Sequence, residues 1–529
     1  MNIDAIYDVV ATHGVQLVSD ATVVAAVVLI GYVLWSRFLH PLAAVPGPWQ
    51  ARYGLGWMTV RALKEDFGWK LAAENEHFQN CLITDELNAR RYKHTGGWDK
   101  TRFYQFFSAV PGSLVSTKNH HEHRMKRVGQ SPAFAMNYLV KLESFVDKCL
   151  DDLMMLLKRQ VEKSGNGVAT IEMAETLQLL ALDVVGELAF GESFHLCETG
   201  RDVQGWLPIF HGYTAGACLS GTQPWIGGIM SRVAKLRWRT PGAAALALRA
   251  RECVQQRVKQ MQTTKEKGEE EEERQDILAK LFSAKNPDGS TFTLGQVTGA
   301  AGSILGAGSD TTAITFRAVL RYIIEDARIY GKVMEEIQTA VDEGKLQFPI
   351  TYGSGVNLEY FQACLKETLR LHAAVPWTLP RVVPSGGATV AGRYLPGGIE
   401  VSMSPYVVHR RPEAYGPDAH VFKPERWLEA DAETKKTMER NLITFGSGSR
   451  VCIGKNISLM EITKVVPTLL YHFEFNFTPR SAHSPHQLPG RSVDGDLDDR
   501  EPWNVASQWF ATQRDFYVDV KERNPELAF

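Results

Sequence analysis

Apolar positions recur every three or four residues across Tyr138–Val161, Gly242–Lys265, Phe292–Val341 and Leu358–His372, the spacing that lays a buried stripe along one side of a helix. Shorter runs bounded by turn residues, at Ala388–Tyr394, Ile399–Met403 and Asp515–Val520, read as strands. The pattern predicts a mainly α protein with a minor β region. No internal repeat and no second shift of composition interrupts residues 49–529, which therefore read as one large domain. The charged run Lys265–Asp276, KEKGEEEEERQD, punctuates it as a solvated loop or a charged helix end.

Residues 21–36 depart from that pattern. From Ala21 to Trp35 the chain reads ATVVAAVVLIGYVLW without a charge. As a helix this run reaches ~22 Å, against a hydrocarbon core of ~27 Å in the endoplasmic reticulum. Ser36, Phe38 and Leu39 extend it, and Tyr32 and Trp35 suit a membrane interface. Asp4, Asp8 and Asp20 precede the run while Arg37 and His40 follow it, so the positive-inside rule puts residues 1–20 in the lumen and the body in the cytosol. A cleaved signal peptide is the alternative, but there is no basic leader and no small-x-small cleavage site. The expectation is a single-pass anchor in the endoplasmic reticulum membrane. Residues 37–48, with Pro41, Pro46 and Pro48, cannot continue the helix and read as a stiff hinge.

Composition narrows the class. The 529 residues are 44% hydrophobic and 22% charged, as in an ordinary globular protein, and a net charge of −2 gives no reason to expect nucleic acid. The 7 cysteines are scattered without CxxC spacing. That argues against a disulfide framework or a zinc ribbon, and for a reducing compartment. A cysteine that carries chemistry here does so alone. His120, His121 and His123 lack HExxH spacing, which disfavours a metal site among them.

Three stretches carry candidate chemistry. The first, Phe445–Gly454 (FGSGSRVCIG), is too rich in glycine and serine for a regular element and leads into a helix starting near Lys455. Cys452 then sits by a helix N-terminus, whose free N–H groups and dipole favour a thiolate. Such a thiolate is a strongly electron-donating ligand for haem iron. Gly448 and Gly454 admit a close backbone approach, Arg450 can reach a haem propionate, and Phe445 is placed to shield the sulfur. A phosphate-binding loop fits poorly, because the glycine spacing is wrong and Asn456 follows Lys455. A structural cysteine in a tight turn stays open.

The second stretch, Gly306–Thr312 (GAGSDTT), lies in a helix opened by the capping pair Thr293 and Gln296. A glycine inside a helix costs about 1 kcal/mol relative to alanine, so this concentration needs a reason. A flat cofactor against the helix would supply one, with the polar Asp310–Thr311 pair delivering protons beside it. Helix–helix packing would supply another. In the third stretch Glu367 and Arg370 share a helix face, and Pro424-Glu425-Arg426-Trp427 offers a second arginine for a buried Glu–Arg–Arg network. A surface ion pair is the commoner meaning of such spacing.

In this order and spacing, the three stretches resemble the cytochrome P450 family. FxxGxRxCxG is matched by Phe445, Gly448, Arg450, Cys452 and Gly454, and [AG]Gx[DE]T by Ala307, Gly308, Asp310 and Thr311. ExxR is matched by Glu367 and Arg370, and PERF by PERW, with Trp427 in place of phenylalanine. The wording LITFGSGSRVCIGKNISLMEI is similar to fungal enzymes of the pisatin demethylase type.

The resemblance implies the cytochrome P450 fold and haem b, with Cys452 as axial ligand of the iron. It implies insertion of one oxygen atom from O2 into an apolar organic substrate, by hydroxylation, O-dealkylation or a related oxidation in fungal secondary metabolism. Asp310 and Thr311 would deliver protons, and Ala307 would face the haem. Arg381 and Arg450 would bind propionates, as would His123 and Arg127, which align with the family's WxxxR although histidine replaces tryptophan. Electrons would come from an external NADPH–cytochrome P450 reductase, with cytochrome b5 as an optional second donor, because 529 residues leave no room for a flavin domain. By family position the pocket would draw on Phe103, Phe106, Phe107, Trp206, Phe210, Tyr213 and Trp377, unless these are core aromatics. A peroxide-using haem-thiolate peroxygenase or isomerase and a non-catalytic haem sensor are the rival classes. The Asp310–Thr311 pair argues against the first of them.

Overall fold

The computed structural model describes residues 21–40, 42–43, 45, 48–53, 56–78, 98–107, 113–223, 241–267, 275–390, 392–477 and 505–523. Among them, α1 (Ala21–Leu39) is the one helix long and apolar enough to cross a membrane, with a mean hydropathy of 1.9. The body is carried by α2 (His120–Gln130), α3 (Glu143–Lys163), α4 (Met173–Val185), α5 (Trp206–Thr222), α6 (Pro241–Lys267), α7 (Leu294–Glu325), α8 (Ala327–Asp342), α9 (Glu359–Leu371) and α10 (Lys455–His472). Most of the acidic run after Lys267 lies outside the described residues; its last residue, Asp276, caps a short helix by accepting from Ala279 N at 2.7 Å.

α7 is the axis of the body and packs against α4, α6, α8, α9 and α10. It starts where the capping pair predicts. Thr293 Oγ1 accepts from Gln296 N at 3.2 Å and Gln296 Oε1 accepts from Thr293 N at 2.9 Å, so two orphan donors are satisfied. Val297, Ala300, Ala301 and Leu305 then turn the predicted stripe into the core. The stretch Phe292–Val341 is not a single helix, however. Asp326 leaves helical geometry and its carboxylate accepts from Arg328 N at 2.9 Å and Ile329 N at 3.2 Å, which starts α8 afresh. The hydrophobic period continues across the break, because both helices face one core, and it conceals the cap.

The strands are β1 (Ala169–Glu172), β2 (Arg381–Val382), β3 (Ala388–Val390), β4 (Arg393–Leu395), β5 (Glu400–Val401), β6 (Phe473–Phe477), β7 (Val505–Ser507), β8 (Ala511–Gln513) and β9 (Tyr517–Glu522). β9 lies between β1 and β6, with Val518 opposite Ile171 and Val520 opposite Phe475, so alternate side chains reach the core. Ala388–Tyr394 is a hairpin rather than one strand. Its turn runs through Gly392, whose φ of +72° suits glycine.

The network around Glu367 locks the base of the cysteine loop. Glu367 and Arg370 are fully buried on α9. Arg370 donates to Glu367 from Nε at 2.8 Å and Nη2 at 2.7 Å, and Arg426 Nε donates to it at 2.8 Å. Trp427 Nε1 and Lys423 N complete the carboxylate at 2.9 and 3.0 Å. The indole that replaces the usual phenylalanine therefore supplies a hydrogen bond. Arg370 also donates to the carbonyls of His409, Ala419 and Val421, which pins the meander after α9.

His409 ties this network to the next loop. Its Nε2 accepts from Ile443 N at 2.9 Å, so Nδ1 carries the proton and donates to Arg370 O at 2.7 Å.

Candidate functional site

The loop before α10 takes its shape from glycine and backbone hydrogen bonds. Gly446 and Gly448 have φ of +73° and +61°, which lets the chain fold back until Cys452 N donates to Phe445 O at 2.7 Å. Two arginines clamp the loop to the body. Arg127 of α2 donates from Nη1 to Val451 O at 2.6 Å, and Arg450 donates to Thr117 O and Lys118 O at 2.9 and 2.8 Å.

Cys452 lines a cavity and is exposed to it. Burial pushes its thiol up, opposed by the N–H groups of Gly454 and Lys455 and by the charge of Arg127. The helix terminus thus moderates the desolvation of a thiolate but does not by itself reverse it. Metal binding requires the deprotonated form, so a metal would complete what the helix begins.

That same cavity collects most of the predicted site residues: Cys452, Arg450, His123, Arg127, Ala307 and Thr311. Its other walls are largely apolar, with Val115, Val185, Leu188 and Ile304 among them; the Glu461 carboxyl, pushed up by burial, also lines it. Lys100, which sequence reasoning missed, joins the cationic side. Its Nζ is held by Val115 O at 2.7 Å and Leu114 O at 3.2 Å, and burial, then Arg381 and Arg450, push its pKa far down. Nothing in the local sequence DKTRF distinguishes this lysine from a solvated one.

Burial, then Arg450 and Lys100, hold His123 down at about 2, and burial with Arg381 lowers Arg450 to about 10. Among the described residues no carboxylate forms an ion pair with Lys100, Arg127 or Arg450, and Arg450 Nε is buried without a partner. Arg381 belongs to this cluster by charge, with Nη1 donating to Tyr104 Oη at 2.9 Å. A buried lysine and two half-buried arginines without an ion-paired carboxylate favour an anion beside them. The cavity fits a group that is apolar over most of its surface, anionic at one edge and open to a thiolate, as haem b is.

Asp310 and Thr311 are adjacent in sequence but look different ways. Thr311 lines the Cys452 cavity, with Oγ1 donating to Ala307 O at 2.7 Å. Asp310 lines a separate polar cleft, where its Oδ1 accepts from Gln178 Nε2 at 2.6 Å. Successive helical positions lie about 100° apart, so the pair straddles the helix. Thr312 Oγ1 lies 3.1 Å from Ser458 Oγ and joins α7 to α10.

Two readings that the sequence left open gain neighbours here. The helix glycines answer first to helix packing: a Cβ on Gly308 would lie 3.0 Å from Val185 Cγ2, and one on Gly306 would lie 3.2 Å from Leu246 Cδ2. Gly308 also lines the Cys452 cavity, so packing and cavity wall share it. The aromatic residues expected around a substrate mostly pack on one another. Trp206 is buried against Phe194 at 4.5 Å, while Phe103 and Trp377 stack at 5.9 Å beside Trp509. Phe445 packs against the core and under Lys455, whose Nζ lies 5.7 Å from its ring centroid.

Comparison with known proteins agrees with this geometry. The family model described as cytochrome P450 matches residues 82–491. The chain is 32% identical to a cytochrome P450 monooxygenase (gsfF) of Penicillium aethiopicum over 84% of its own length and 90% of the relative. It is 30% identical to one from Aspergillus terreus, over 85% and 94% of the two chains, and 29% identical to one (cicH) from Emericella nidulans, over 82% of each. The chain belongs to the cytochrome P450 family of monooxygenases, which bind haem b through a cysteine thiolate as axial ligand of the iron.

Proposed function

We propose that this chain inserts one oxygen atom from O2 into an apolar organic substrate in fungal secondary metabolism, with Cys452 as the thiolate ligand of its haem. The observation that carries the reading is the convergence of Cys452, Thr311 and cations without an ion-paired carboxylate on one largely apolar cavity. Lys100, His123, Arg127, Arg381 and Arg450 would hold the propionates, and anionic oxygens there would offset the positive charge of Arg450 and Lys100 that adds to burial in holding His123 down at about 2. When bound, the haem supplies the chemistry of O2 reduction and oxygen transfer.

The reaction balances as substrate, O2, NADPH and a proton giving oxygenated substrate, water and NADP+. Asp310 and Thr311 would supply protons to it. The electrons would come through NADPH–cytochrome P450 reductase, with cytochrome b5 as an optional second donor. Residues 1–20 would be lumenal, 21–36 the anchor, 37–48 a hinge and 49–529 the catalytic domain, cytosolic on the endoplasmic reticulum membrane. The apolar helix α1 supports this arrangement.

The test is oxygen labelling. The full chain, reconstituted with the reductase and NADPH, is incubated with an apolar fungal extract under 18O2. A product carrying one 18O is expected; oxygen drawn from water, or no NADPH-dependent product, would contradict the reading.

A further inference from the structure

A cleft of about 510 Å³ opens where the end of α2, the middle of α6 and the first turn of α7 meet. Its size falls within the ~300–1,000 Å³ of ordinary small-molecule sites. Its charge is one-sided: Lys126 and Arg251 line it, and among the described residues no carboxylate does. Lys126 is already engaged, donating to Glu122 Oε1 at 2.6 Å and to Thr117 Oγ1 at 2.9 Å. Arg251 is exposed and forms no ion pair among the described residues.

The first turn of α7 adds to the positive side. The capping pair satisfies the N–H groups of Thr293 and Gln296, but those of Leu294 and Gly295 precede any intrahelical acceptor, at the positive end of a helix of 32 residues. Phe292 and Val254, both buried, give the cleft an apolar floor. Glycine at position 129 lets α2 close on that floor, because a Cβ there would run into the Phe292 ring.

A helix terminus beside a surface arginine is common and by itself binds nothing in particular. Gln130 makes this one different. It is 5% exposed, its amide makes no hydrogen bond among the described residues, and it lines both this cleft and the Cys452 cavity. Buried amides are normally satisfied, and the cavity is largely apolar, so the cleft is the side from which a partner comes.

We propose that this cleft is a second binding site, for a small organic carboxylate with a flat apolar body. Arg251, the Leu294 and Gly295 N–H groups and the Gln130 amide supply donors for two carboxylate oxygens, and Phe292 and Val254 supply the surface on which the body lies. Inorganic phosphate would leave that apolar floor unused. The proposal goes beyond the oxygen-insertion reading and does not depend on it.

The test titrates the haem-loaded full chain with cinnamate by isothermal calorimetry, with the Soret band recorded at each addition. One saturable site is expected, and neutral cinnamamide should bind at least tenfold more weakly. Arg251→Glu reverses the charge at an exposed helix position and should weaken cinnamate by about tenfold or more, the effect of one charge-assisted hydrogen bond. Lys259→Glu makes the same change in net charge at an exposed position of α6 outside the cleft and should bind as the parent does. Gln130→Leu should weaken cinnamate while keeping the parent's carbon-monoxide spectrum. Affinity unchanged in Arg251→Glu or in Gln130→Leu overturns the proposal, as does an equal loss in Lys259→Glu. A Soret shift with cinnamate that Arg251→Glu leaves in place puts the probe in the Cys452 cavity and overturns it too. Equal binding of acid and amide overturns the carboxylate as the ligand class.

Discussion

Replacing Glu367 with glutamine tests the lock beneath the cysteine loop at almost constant volume. The carboxylate accepts from Arg370 Nε and Nη2, Arg426 Nε, Trp427 Nε1 and Lys423 N, all between 2.7 and 3.0 Å. An amide keeps one acceptor oxygen and turns its N–H groups toward guanidinium donors. Arg370, fully buried, is then left without its counter-charge, while Arg426, 8% exposed, keeps only Asp418, at 3.0 Å. Breaking a buried pair by removing one partner costs ~3–5 kcal/mol. Against a typical stability of ~5–15 kcal/mol this is about a fifth or more of the total. At about 1.4 kcal/mol per decade it raises the unfolded population by two to three and a half decades.

Trp427→Phe restores the common motif and removes one donor, with the other acceptor contacts in place. Its cost should be smaller, about 1.5–3 kcal/mol for a hydrogen bond to a charged group. Urea denaturation of the full chain in detergent, followed by far-ultraviolet circular dichroism, measures both variants. An E367Q stability within ~0.5 kcal/mol of the parent, the range of ordinary surface changes, would refute the network as a lock. So would a W427F loss as large as that of E367Q.

Other outcomes follow from single residues. Burial lowers His409 to about 3, whereas unfolded histidine titrates near ~6.5, so acid protonates the unfolded chain first. Its contribution is intact above ~6.5 and stability falls between there and 3, by at most ~1.4 kcal/mol per pH unit. His409→Gln should flatten that slope in denaturation curves measured from pH 7 to 4, and an unchanged slope would contradict the assignment. Thr311→Ala should keep haem content while diverting NADPH to hydrogen peroxide, by ~10²-fold in product per NADPH, the low end of acid–base effects; a fully coupled variant would remove Thr311 from proton delivery. Lys100→Met keeps the side-chain length and removes a buried cation. Haem transfer to apomyoglobin should be faster by about tenfold, the worth of one charge-assisted hydrogen bond, and an unchanged rate would exclude Lys100 from the propionate side.

What could be read from the chain depended on whether the physics was local. The start of α7 was legible because Thr293 and Gln296 satisfy each other's backbone three residues apart, and the cysteine loop because glycine alone supplies its turns. Glu367 and Arg370 were legible as a pair, but their burial became plain only when Arg426 and Trp427 arrived from beyond residue 420. The break at Asp326 hid behind a continuous hydrophobic period. Gly306 and Gly308 could serve a cofactor or helix packing, and only tertiary structure shows Leu246 and Val185 beside them, with Gly308 also on the Cys452 cavity. Trp206 and Phe210 likewise count as aromatics in a sequence and as core in the fold. Asp310 is held by Gln178, 132 residues away, and Lys100 by carbonyls of Leu114 and Val115 in an irregular segment, and no spacing rule covers either.

The most direct test of the central claim is the carbon-monoxide difference spectrum of the dithionite-reduced, haem-loaded full chain, recorded for the parent and for Cys452→His. The account predicts a strongly red-shifted Soret band, the signature of thiolate ligation, in the parent and its replacement by an imidazole-type band in the variant. A red-shifted band that survives Cys452→His, or folded protein that takes up no haem, would contradict it.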